Sequence, residues 1–405
     1  MEDRPARLTR FVPAAALWAA FVAAAVVSSV LVLHRPPDDR LSDLHIYYGA
    51  AEAVRAGDAL YGYVAENGGP FTYPPFAAVL FLTLTWAPEP ALRLVWLAGT
   101  AAVVAALGLV TARLVRPGSR LTGPLAPGIA LTVLVTASAQ SNLRFGQVSV
   151  FLVLMALADA AGLTPARHRG VLIGVAAAIK LTPLLFVLHL LASRQTLPAV
   201  RAIATFLGCG VLGALALPAD SLTYWSGTVV RTSRIGDLAS TGNQSINGVL
   251  LRADVPGHLL TPLWFALAAA VCAVALWRAR RAWAAGEAGR AAVLVGCATV
   301  AASPVSWTHH QVWPALAAIM LLAAPGRRSH RIGGAVLLLT AVVSLGALCR
   351  AAGAYPGVQF LGDNARALAT VAVCLAGLGL ARAVAGGPPA VPHPRTATAP
   401  AGARR

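Results

Sequence analysis

Residues 11–33 read FVPAAALWAAFVAAAVVSSVLVL, twenty-three consecutive positions without a charged side chain. Such a run is long enough to cross a hydrocarbon layer of about 30 Å as one helix, and too long for the core of a signal peptide. The basic decapeptide before it, MEDRPARLTR, is expected to stay in the cytoplasm, so the first helix is read as uncleaved and outward-running. Further apolar blocks follow at roughly 91–112, 124–140, 147–163, 170–181, 183–192, 199–217, 258–277, 290–303, 311–324, 332–350 and 365–382. The predicted fold is an all-α polytopic membrane protein with about 12 transmembrane helices. It forms one domain over 1–385, and the Pro-rich segment 386–405 reads as a disordered cytoplasmic tail.

Composition agrees. Of 405 residues 58% are hydrophobic and 12% charged, with a mean hydropathy of +0.70; a soluble domain carries about 25% charged residues. The net charge of +17 belongs almost wholly to arginine, with Lys180 the single lysine. On the alternating topology, the inner loops and termini hold 21 of the 32 basic residues but only three of the 15 acids, as the positive-inside rule requires. That placement leaves no basic face for nucleic acid. The five cysteines lie in apolar blocks without paired spacing, which fits neither a zinc site nor a disulfide framework. The segment Phe71–Ala87 is apolar enough to cross, but one crossing there would invert every later loop. It is read as re-entrant or interfacial, starting at Tyr73-Pro74-Pro75.

Polar residues outside the inner loops gather on one face. The first outer loop, 34–90, carries Asp43 at the start of an amphipathic helix that has Leu44, Tyr47, Tyr48, Ala51 and Val54 on one stripe and ends at Gly57. The stripe is expected to lie on the membrane surface. Asp43 reads either as a cap for free backbone N–H groups or as a general base. Lys180 sits at the tip of a short hairpin formed by 170–181 and 183–192, where an ammonium costs roughly 2.5–3.5 kcal/mol at mid-membrane unless it snorkels or meets an anion. Arg144 and Arg252 are weaker candidates for the same anion. Gln147 follows Arg144, and the second outer loop, 218–257, adds Asn243, Gln244 and Asn247. Trp307, His309 and His310 follow the span ending at 303; adjacent histidines point about 100° apart on a helix, so they are not read as a zinc site. Tyr47, Tyr48, Tyr73 and Trp307 lie among these groups, where such rings gather as interface anchors. No phosphate-binding loop and no dinucleotide-binding glycine pattern is present, so a substrate supplied by the membrane is expected.

The series Asp43-Leu-His-Ile-Tyr47-Tyr48, Gly57-Asp-Ala-Leu-Tyr61, Phe71-Thr-Tyr73-Pro74-Pro75, Gly146-Gln147, Lys180-Leu-Thr-Pro183, Asn243-Gln244-Ser-Ile-Asn247 and Trp307-Thr-His309-His310 resembles glycosyltransferase family 87 over about residues 40–320. The resemblance implies the GT-C membrane fold and an inverting transfer of mannose from polyprenyl-phosphate-mannose to a hydroxyl of a glycolipid or envelope glycan. It places the work at the outer face of the plasma membrane and needs no cofactor and no metal. By that analogy Asp43 is the base. Lys180, with Arg144, Arg252, His309 or His310, meets the leaving phosphate, while Tyr47, Tyr48, Tyr73, Gln147, Asn243, Gln244, Asn247 and Trp307 contact substrate. A prenyl-phosphate-arabinose donor fits the same motifs. A lipid or sugar carrier is the rival class, and it is disfavoured because the Asp43 loop has no counterpart in the second half of the chain.

Overall fold

A computed structural model describes residues 14–116, 118, 122–324 and 328–379; the tail over 386–405 lies outside the described residues. These residues form nineteen α-helices and no sheet, with one isolated antiparallel bridge between Val64 and Pro70. In order the helices are α1 (Ala14–Leu33), α2 (Ser42–Ala56), α3 (Pro75–Phe81), α4 (Glu89–Val115), α5 (Thr122–Leu134), α6 (Ala137–Phe145) and α7 (Ser149–Ala160). Then come α8 (Val171–Ile179), α9 (Leu185–Ala192), α10 (Thr196–Ala216), α11 (Pro218–Ser226), α12 (Ile246–Arg252) and α13 (Gly257–Ala284). The last six are α14 (Ala288–Ala302), α15 (Val312–Leu322), α16 (Arg328–Val342), α17 (Leu345–Ala351), α18 (Pro356–Asp363) and α19 (Ala365–Ala376).

Four of these, α1, α4, α10 and α13, are long and apolar enough to cross a membrane. The pairs α5–α6 and α16–α17 qualify only as broken spans, bent by 67° and 71°. Other apolar helices, α7, α14, α15 and α19 among them, are shorter, and at ~1.5 Å per residue a twelve-residue helix covers only ~18 Å. α14 and α15 are buried along nearly their whole length, forming the centre against which α7, α13, α16 and α19 pack. Alanine and glycine dominate α14, and small residues let membrane helices approach closely.

The 71–87 segment forms no crossing helix: α3 has seven residues and passes into a 3₁₀ turn over Leu82–Trp86. The α2 helix starts and stops where the sequence predicts, with Gly57 closing it at φ 91°. Its apolar stripe, however, meets protein. Leu44, Tyr47 and Ala51 are fully buried, and the Tyr47 ring stacks on Phe81 of α3 at 4.5 Å.

The α8–α9 hairpin has the expected form. Gly170 lies against Pro198 and Gly174 against Ala202, so α8 runs alongside α10 in the same direction. α9 ends at Ala192, close before α10 begins at Thr196, so both ends of the hairpin share one end of α10 and its tip points away from it. Asp159, the penultimate acceptor-rich position of α7, sets the base of this hairpin. Its fully buried carboxylate accepts from the backbone N–H groups of Gly170 (2.9 Å) and Ile173 (3.1 Å) and from the Thr164 hydroxyl (2.6 Å). It thereby satisfies donors that the first turn of a helix leaves unpaired.

Candidate active site

The site is assembled from four short stretches, and each is fixed by local bonding. At the first, Leu41 precedes α2 in the left-handed region (φ 53°), unusual for a branched residue. It is buried, and its N–H donates to Arg144 O at 2.7 Å. At the second, α6 ends at Gly146 (φ 66°), where an added Cβ would come within 2.6 Å of Leu44 Cβ; only glycine gives both the turn and the close approach. The third is the extended Lys180 at the C-terminal end of α8. The fourth is the 303–311 turn between α14 and α15. Asn142, fully buried, ties this turn to the second stretch, donating to His309 O (2.8 Å) and accepting from Val150 N (3.2 Å).

These stretches face a cavity of about 1320 Å³. Asp43, Gln147, Lys180, His309 and His310 line it, as do Tyr47, Tyr73, Arg144 and Trp307. The sequence suggests a cap role for Asp43, but the structure does not use it so: no side chain caps α2, and Asp43 Oδ2 instead accepts from Gln147 Nε2 at 2.5 Å. Gln147 Oε1 in turn accepts from the Tyr73 hydroxyl (3.1 Å), which lies 2.8 Å from the Tyr47 hydroxyl. Asp43 Oδ1 has no hydrogen-bond partner among the described residues. Burial pushes the Asp43 carboxyl up to about 6, with the Gln147 bond and the Lys180 charge pulling the other way. A carboxylate titrating near there is suited to proton abstraction close to neutral pH.

Lys180 Nζ stands 2.6 Å from His310 Nε2 and 5.2 Å from the centre of the Tyr73 ring. His310 Nδ1 accepts from Trp307 N–H at 3.0 Å. Burial, with the Lys180 charge beside them, holds both His309 and His310 well below the usual histidine range. A neutral His310 whose Nδ1 is an acceptor carries its proton on Nε2. At 2.6 Å the lysine and histidine nitrogens share one proton between them, so one donates to the other, and the remaining N–H groups of the lysine amine are the ones free to meet an anion. His309 packs edge-on to Phe145 (5.9 Å) and His310 (4.4 Å), and both its ring nitrogens are buried without partners.

Five residues expected at the substrate lie off the cavity wall. Arg252 donates to Asn364 Oδ1 (3.0 and 2.7 Å), Ser240 O (2.7 Å) and Asn243 O (2.9 Å), so its guanidinium is committed to protein. Asn243 Oδ1 accepts from Ser306 N (2.9 Å), and Asn247 Nδ2 donates to Pro304 O (3.1 Å). Gln244 bridges Thr241 O, Asp363 O and Ala367 N. Asn243 and Asn247 thus brace the histidine turn, while the Gln244 amide ties its loop to the start of α19. Tyr48 faces Glu52. Arg35 and Arg234 line the cavity and were not anticipated; the i,i+4 pairing of Arg35 with Asp39 was the available signal for the first, and nothing in the sequence marked the second. Among the described residues no group of three or more His, Cys, Asp or Glu is placed to hold a metal ion.

The model of glycosyltransferase family 87 matches residues 71–306, more than half of the chain. A polyprenol-phosphate-mannose-dependent alpha-(1-2)-phosphatidylinositol mannoside mannosyltransferase of Mycobacterium tuberculosis is 36% identical over 328 residues, covering 74% of each chain. A polyprenol-phosphate-mannose-dependent alpha-(1-2)-phosphatidylinositol pentamannoside mannosyltransferase of the same species is 32% identical over 315 residues, 74% of this chain and 71% of the other. Among solved structures, ArnT from Cupriavidus metallidurans bound to undecaprenyl phosphate aligns over 90% of this chain and 78% of its own, at 18% identity and a TM-score of 0.37. The sequence resemblance is thus borne out: the chain is a membrane glycosyltransferase and belongs to glycosyltransferase family 87.

Proposed function

We propose that the protein transfers a mannosyl residue from a polyprenyl-phosphate-mannose donor to a hydroxyl of a membrane glycolipid, in one inverting displacement. The observation that carries this reading is the meeting, in one cavity, of a carboxylate with a free oxygen (Asp43) and a lysine amine held by a histidine (Lys180 on His310). Asp43 Oδ1 takes the acceptor's hydroxyl proton as its oxygen bonds to the anomeric carbon. The bond from that carbon to the phosphate oxygen breaks on the opposite side, and the polyprenyl phosphate leaves with the electron pair. Lys180, held in place by His310, donates to its oxygens, where charge grows as the bond breaks; such preorganised donors are often the largest single catalytic contribution. The nearby relatives are named for mannose donors and phosphatidylinositol mannoside acceptors, which supports both the donor and a glycolipid acceptor.

The finer architecture belongs to the same proposal. A single GT-C domain over 1–385 with about 12 spans, short helices included, puts α2 and the cavity at the exterior face of the plasma membrane, in keeping with the arginine distribution. Purified protein in lipid nanodiscs, given radiolabelled polyprenyl-phosphate-mannose and a phosphatidylinositol mannoside, tests it. Transfer is expected, and Asp43→Asn is expected to lower kcat by about 10²–10⁴ while leaving donor binding in place. Near-normal turnover in that variant removes Asp43 from the role. Transfer from an arabinose donor alone replaces the mannose reading.

A further inference from the structure

The cavity wall holds a second cationic place that the displacement above leaves unused. Asp39 lies between Arg35 and Arg144: Arg35 Nη1 is 2.7 Å from Oδ2, and Arg144 Nη2 is 2.6 Å from Oδ1. Burial acts upward on Asp39, but the two guanidiniums outweigh it and hold its carboxyl below the usual range. Two cations against one anion leave a net positive charge, and the side chains of Arg35 and Arg144 are still 42% and 41% exposed. Arg35 donates through one nitrogen to Asp39 and has no other partner among the described residues.

Its position gives it a meaning. Arg35 stands two residues past the end of α1, whose Ser28, Leu31 and Val32 line the same cavity, and Leu31 is 65% exposed. This wall is therefore the end of a membrane-crossing helix, and a cation there lies at the depth of lipid headgroups. From Arg144 a row of rings leads to the other cationic place. The Arg144 guanidinium sits 4.8 Å over Phe145, Phe145 meets His309, and His309 meets His310, the partner of Lys180. The two places are separate stations on one wall. Between them lie the His309 nitrogens, buried and unpaired, the kind of group a sugar hydroxyl would satisfy.

We infer that Arg35 and Arg144 form a second phosphate subsite, which holds the phosphodiester of an anionic glycophospholipid acceptor while one of its sugar hydroxyls reaches Asp43. This rests on the transferase reading above and names the acceptor class within it. A phosphodiester could also come from the donor, but the donor has one phosphate and its leaving oxygen must lie at Lys180 and His310.

The test uses nanodiscs with two acceptors bearing the same mannosyl group, mannosylated phosphatidylinositol and an uncharged mannosyl diacylglycerol. Arg35→Gln should lower the ratio of kcat/KM for the anionic over the uncharged acceptor by about tenfold, through acceptor KM, since one charge-assisted bond is lost. Asp39→Asn, which frees both guanidiniums, should raise that ratio. Equal losses on both acceptors, or a loss carried by donor KM, overturns the inference; the second result gives the subsite to the donor. If the wild type transfers mannose to neither acceptor, the transferase reading fails instead. The subsite is then judged alone, by whether Arg35→Gln weakens binding of the anionic lipid relative to the uncharged one.

Discussion

Replacing Gln147 by methionine keeps the volume of the side chain and deletes the donor that holds Asp43 Oδ2 at 2.5 Å. Asp43 must be ionised to accept a proton, so activity is full above its pKa and falls about tenfold per pH unit below it. In the intact site that acid limb should lie near pH 6, the value to which burial raises the carboxyl. The Gln147 bond pulls the pKa down, so losing it moves the limb up. A hydrogen bond to a charged group contributes about 1.5–3 kcal/mol, and about 1.4 kcal/mol corresponds to one pH unit. The limb of kcat/KM against pH should therefore move from about 6 to about 7–8 in Gln147→Met, with the plateau recovered at alkaline pH. The measurement is mannose transfer in nanodiscs at acceptor well below KM from pH 5 to 9. An unmoved limb with a uniformly lower plateau would show that the group titrating near 6 is not Asp43, and would refute the assignment.

Other substitutions separate positioning from chemistry. Asp159→Ala strips the base of the α8–α9 hairpin of its acceptor and strands buried N–H groups, so thermal unfolding should register a loss of about 2–4 kcal/mol. Gly146→Ala puts a methyl against Leu44 in a left-handed turn, and should cost more than tenfold in transfer together with a lower Tm. Arg252→Ala should destabilise the 239–252 region while leaving donor KM near its normal value, because its bonds all go to protein. Tyr73→Phe removes one hydroxyl from the Gln147 oxygen and should lower kcat/KM by less than tenfold, with a small shift of the acid limb.

The helical, membrane-crossing character of the chain was legible because apolar runs report directly on burial in lipid. The bounds of α2 could be read for a similar reason, since helical periodicity and a closing glycine are local signals. The hairpin under Lys180 was also local, a charge and a proline interrupting an apolar run. What covers the α2 stripe was not legible: a face of Leu44, Tyr47 and Ala51 looks the same whether it meets lipid or the rings of Phe81 and Trp96. The protein partners of Asn243, Gln244 and Asn247 were hidden on the same ground. An amide binds a loop carbonyl as well as it binds a sugar, and only the fold shows that the carbonyls of Pro304 and Asp363 were waiting. Length alone marks only α1, α4, α10 and α13 as crossings, because α7, α14 and α15 are too short to be recognised by their extent.

The anchoring of α8 through Asp159 has a consequence for control. Lys180, which the proposed reaction sets against the donor's phosphate, is held in depth from the far root of its hairpin, by a carboxylate bonded to Gly170, Ile173 and Thr164. A pull on the loop 164–169, from a lipid, a partner or a change of bilayer thickness, would therefore be passed along α8 to Lys180 like a push on a rod, without touching either substrate.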